Sequence, residues 1–124
     1  MSEKSFGKYL RDMRKNQDPP MTQEQLAKAI GRGKMAISQF ENEKNSPPQG
    51  ELLNSIIKAL KLTPEQEATM RFLSSEARRT VPSDIEKYFF ENPSICKAIR
   101  AAKETSVDDS FWRKLTDKIV NHNE

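Results

Sequence analysis

Between Gly31 and Lys44 the sequence reads GRGKMAISQFENEK, and its residue types divide by helical spacing. Ile37 and Phe40 share one side of a helix, while Met35, Ser38, Gln39 and Asn42 fall on the opposite side. Lys34 stands laterally, near the start. The outward set supplies an ammonium, a hydroxyl, two carboxamides and a thioether. These groups can recognise a hydrogen-bonding surface, but they include no nucleophile paired with a base.

Nothing elsewhere in the chain supplies such a pair. His122 lies in a polar tail, and no second histidine exists to build a metal set of familiar spacing. Cys96 is the single cysteine, so it cannot form an internal disulfide and suits a reducing, cytoplasmic compartment. Asp108 and Asp109 are better explained as negative charge at a helix start than as a catalytic dyad. There is no glycine-rich phosphate loop. The expectation is a protein that is not an enzyme and takes no cofactor and no metal.

Composition fits one modest core with a wet surface: 124 residues, 35% apolar and 31% charged. The longest apolar cluster, around Tyr88-Phe89-Phe90, is far too short to span a membrane. The opening MSEKSFGKYL lacks the basic-then-apolar order of a secretory leader. Net charge is only +3, but residues 1–63 hold 11 Lys/Arg against 7 Asp/Glu, and residues 64–124 hold 10 against 11. Affinity for a polyanion therefore belongs to the first half.

The elements that must position the Gly31–Lys44 face are all helical. Phe6, Tyr9, Leu10 and Met13 form the stripe of a first helix, which NQDPP ends. Thr22 with Gln25 makes a capping box for a second, whose inner face is Leu26, Ala27 and Ile30 and whose close is Gly31. Gly33 precedes the third helix. After the loop NEKNSPPQG, Leu52, Leu53, Ile56, Ile57 and Leu60 mark a fourth, and Thr63-Pro64 opens a fifth running to about Ala77. Three more starts follow, with Ser83 and Asn92 as caps of the first two and an aspartate at the beginning of the third. No segment shows strand alternation, so the fold class is all-α.

Two helices that cross steeply over a short turn need a small residue at the contact and a residue free to take positive φ. Ala27 and Gly31 are those residues, with Leu26, Ile30, Ile37 and Phe40 filling the wedge. This is the helix-turn-helix pattern. The stretch from Phe6 to Leu62, with its TQEQLA…IG…IS.FE…K..P pattern and the following LL..I.KAL.LT, resembles the Xre/Cro family of phage-repressor-like helix-turn-helix proteins. The resemblance implies a five-helix lambda-repressor-like domain that binds double-stranded DNA, usually as a dimer, with helix three in the major groove.

On that resemblance Lys34, Met35, Ser38 and Gln39 are the base-reading residues. Gln39 can pair with adenine, Lys34 with guanine or a phosphate, Ser38 with either base type, and Met35 with a thymine methyl. Gln23 matches the family's phosphate-contacting glutamine, and Asn42, Lys44 and Asn45 match the region that grips the backbone. Arg32 adds charge in the turn. The resemblance also implies that Arg14 and Glu41 pair inside the fold.

The expected organisation is a DNA-binding domain over residues 1–63 and a helical extension over 64–124. The extension carries Phe72, Ile85, Tyr88, Phe89, Ile99, Phe111, Trp112, Leu115 and Ile119, too much apolar surface for a solvated tail. It should pack on the first domain, on itself, on a second copy to form a homodimer, or on a protein partner. The function expected is a sequence-specific transcriptional regulator, a repressor acting at an operator. The alternatives are an autoregulating antitoxin of a toxin–antitoxin pair, or an adaptor that keeps the fold without binding DNA.

Overall fold

The computed structural model of the chain describes residues 5–122, so the expectation of no leader rests partly on residues outside the described ones. Eight helices and no strand are found among the described residues. They are α1 (Phe6–Lys15), α2 (Gln23–Ala29), α3 (Lys34–Glu41), α4 (Gly50–Ala59), α5 (Pro64–Arg78), α6 (Glu86–Glu91), α7 (Ser94–Glu104) and α8 (Asp109–His122). The all-α expectation holds. None of these helices is long and apolar enough to cross a membrane.

The chain divides into two compact units, the first reaching to Lys87 and the second beginning at Tyr88. The first unit therefore runs past residue 63, the boundary expected from the sequence. The reason is the apolar face of α4: Leu53, Ile56, Ile57 and Leu60 are buried, and one side of that face needs a cover. The fifth helix provides it, bringing Met70 and Leu73 into the same cluster as Phe6, Leu10, Leu26, Ala27 and Ile37. α5 packs on both α1 and α4, and α2 packs on α3 and α4. The loop before α4 is tied to this frame, since Ser74 Oγ donates to Pro48 O at 2.7 Å and Arg78 donates to Pro47 O.

Helix starts in this unit follow their sequence signals. Thr22 and Thr63 each close a full capping box, with Gln25 and Gln66 as the reciprocal partners. The later starts differ. Residues 83–85 form a turn, so α6 begins at Glu86 and Ser83 caps no helix. Asn92 does not cap α7 through its side chain; its Nδ2 donates back to Tyr88 O at 2.8 Å. Asp108 does serve α8, its carboxylate accepting from Ser110 N at 3.0 Å.

In the second unit no residue of α7 or α8 is buried. Phe111 and Trp112 meet edge to face at 5.2 Å, yet Phe111, Ile99, Ile119 and Val120 all stay exposed. The apolar residues named from the sequence there form amphipathic faces on α7 and α8.

Candidate nucleic-acid interface

The angle between α2 and α3 is set by backbone hydrogen bonds. At the end of α2, Arg32 N donates to Ala27 O at 2.8 Å and Gly31 N to Lys28 O at 3.3 Å. This is the paired closure of a Schellman motif, and Gly31 takes φ +72° there, as expected of the residue past the C-cap. Ala27 is buried at the crossing, Ile37 is fully buried beneath α3, and Phe40 is half-buried beside it. α3 begins at Gly33 without a side-chain cap.

Glu41, the last residue of α3, anchors the helix to α1 and α2. Arg14 grips its carboxylate with two bonds, Nε to Oε2 at 2.7 Å and Nη2 to Oε1 at 2.9 Å. Gln23 Nε2 donates to Oε1 at 3.0 Å, and Arg11 Nε reaches the same oxygen at 3.4 Å. Arg14 also donates through Nη1 to Met21 O at 2.9 Å. Burial acts to raise the pKa of Glu41, but bonds from Arg14, Gln23 and Arg11 and the Arg14 charge outweigh it, leaving the carboxyl below its ordinary range. The expected Arg14–Glu41 pair is present, and the network around it is larger than the sequence suggested. Gln23 joins this network, so its side chain turns inward; its backbone N–H stays in the first turn of α2, where the helix dipole favours an anion.

On the far side of α3, Lys34, Met35, Ser38, Gln39, Asn42 and Lys44 line one open surface hollow. Met35 is 70% exposed, which fits no packing role within the chain. Past the helix, Glu43 takes φ +59° and turns the chain back on itself, with Lys44 N donating to Gln39 O at 2.9 Å. That reversal brings Asn45 to Gln39, whose Oε1 accepts from Asn45 Nδ2 at 2.7 Å. Asn42 Nδ2 similarly donates to Ser38 Oγ at 3.2 Å, and Arg11 Nη2 to Asn42 Oδ1 at 3.1 Å. Arg32 is exposed in the turn, with Nη1 3.5 Å from Gly31 O, and lies outside the hollow.

Two residues of this arrangement escaped the sequence reading. Arg11 bridges Glu41 and Asn42. Gly7 is the place where α1 lies against the end of α3: a Cβ there would sit 2.4 Å from Glu41 O and 2.8 Å from Phe40 O. Gly7, Leu10 and Arg14 are spaced i, i+3 and i+7, so a glycine on the face that carries the buried arginine was the available signal.

A helix-turn-helix family model matches residues 10–66. Neither a curated protein nor a solved structure matches the chain.

Proposed function

We propose that the chain is a DNA-binding transcription regulator of the Xre/Cro helix-turn-helix type, a reading supported by the helix-turn-helix match over residues 10–66, and that it represses transcription at an operator read by α3. The supporting observation is the hollow itself, in which the four residues expected to face base edges share one surface with Asn42 and Lys44, two of those expected to face the backbone. Lys34, Met35, Ser38 and Gln39 then address the major groove. Lys44, with the first turn of α2, addresses phosphates. The buried network at Glu41 makes α3 a rigid reader, held through side chains of α1 and α2.

The test separates the two kinds of contact. Replacing Lys44 with Ala should weaken binding to every duplex alike and lower the slope of log K against log salt by about 1. Titration of labelled duplexes at several salt concentrations measures both quantities. A variant that lost affinity for one sequence only would contradict the phosphate role of Lys44.

The exposed apolar faces of α7 and α8 favour a homodimer, with half-sites about one helical turn apart. Sedimentation of the full chain, free and on duplex DNA, should give a dimer in at least the bound state. A monomer in both would remove this part of the reading.

A further inference from the structure

The geometry points to Asn42 and Asn45 as positioning residues that turn Ser38 and Gln39 into hydrogen-bond donors, so that the half-site read by α3 carries guanine rather than adenine at their positions. The inference rests on the reading that α3 lies in the major groove, and it adds the chemistry of the bases.

A carboxamide reads adenine by using both ends at once, its oxygen accepting from N6 and its nitrogen donating to N7. Gln39 has one of those ends already engaged and directed at its own chain. Its oxygen faces Asn45 Nδ2 at 2.7 Å, on the loop beyond the helix, and among the described residues its Nε2 has no partner. The bond fixes the plane of the amide and leaves its two N–H groups for the ligand. Guanine presents N7 and O6, two adjacent acceptors, on the major-groove edge.

Ser38 is set in the same way. Its oxygen accepts from Asn42 Nδ2, and Asn42 is itself held by Arg11, which is held by the buried Glu41. The Ser38 hydroxyl hydrogen has no acceptor among the described residues, so it too points to an acceptor outside the chain. Lys34, at the start of the helix, can only donate. Three polar groups on the reading face therefore present donors, and the acceptor left over, Asn45 Oδ1, belongs to the loop. Asn45, expected from the sequence to touch a phosphate, instead has its amide directed at Gln39.

Selection of bound sequences from a random duplex pool, using the full chain, tests this. The expected half-site has guanine at the positions read by Gln39 and by Ser38. Asn45→Ala should reduce guanine-over-adenine discrimination roughly 10-fold at the position that Gln39→Ala affects. The double variant should lose little more, since both changes remove one device. Asn42→Ala should act likewise at the Ser38 position. Unchanged thermal melting and an unchanged salt slope on random duplex would show that folding and backbone contacts persist.

Adenine enriched at these positions would overturn the inference. So would an Asn45→Ala variant that binds all sequences more weakly with a shallower salt slope, the mark of a phosphate contact. Salt-dependent duplex binding in either case would leave the DNA-binding reading standing. No enrichment together with no salt-dependent binding would remove that reading, and the guanine inference with it.

Discussion

Replacing Glu41 with Ala should destabilise the first unit by about 3–5 kcal/mol, because it leaves the Arg14 guanidinium buried without its carboxylate. Arg14 is only 7% exposed and Glu41 only 3%, so neither charge can turn to water when its partner is removed. Typical domains have roughly 5–15 kcal/mol in total, so this one change approaches complete unfolding. Urea titration should show a lower midpoint with an unchanged slope. Joint replacement by apolar residues of similar volume, Arg14→Met with Glu41→Leu, should recover most of the loss. A buried ion pair gives little net stability over a packed apolar pair, and the damage in the single variant comes from the orphaned charge. If the double variant is as unstable as the single one, the network contributes through hydrogen bonds to Gln23, Arg11 and Met21 that the apolar pair cannot replace.

The same network fixes the pH dependence. The pKa of Glu41 lies below its ordinary value in the folded chain, so the unfolded chain binds the proton more readily. The stabilisation is fully present above the unfolded carboxyl value of about 4.3 and is lost as pH falls through the lower folded value. Acid unfolding of the parent should steepen in that window. Glu41→Gln, which has no proton to take up, should flatten the curve there. A variant curve parallel to the parent's below pH 4 would show that other carboxylates control the acid transition.

How much of this was legible in the sequence depends on whether a contact is local. Thr22 with Gln25 closes within one turn, Thr63 stands directly before its helix's first proline, and Gly31 answers the ending of its own helix, so spacing alone located them. The exposed face of α3 was legible because Ile37 fixes which side is buried. The extent of the first unit was not, since Met70 and Leu73 look alike whether a helix covers its own domain or leaves it. The links Asn45–Gln39 and Asn42–Ser38 were also hidden. They depend on the left-handed turn at Glu43 and on the direction of an amide plane, and neither has a periodicity.

Gly7 gives the sharpest conflict between local and tertiary reasoning. Inside a helix, Gly→Ala is ordinarily stabilising by about 1 kcal/mol, because alanine has the better propensity and restricts the unfolded chain. At Gly7 the sign should reverse, with Gly7→Ala destabilising by roughly 2–3 kcal/mol, the scale of an overpacked contact. The new methyl would sit 2.4 Å from Glu41 O, 2.8 Å from Phe40 O and 2.9 Å from Glu41 C, all backbone atoms at the end of α3. Backbone cannot change rotamer, so α1 and the end of α3 must separate. That separation stretches the bonds from Arg14 and Arg11 to Glu41, which couples the steric cost to the buried charge network. Urea midpoints of the parent and the Ala variant give the sign directly. In the variant, weakening of the Arg14–Glu41 pair should also bring the apparent pKa of Glu41 closer to its ordinary value. A more stable Gly7→Ala protein would mean that α1 can move off α3 without loss, and the close approach of the two backbones would then not be what fixes α3.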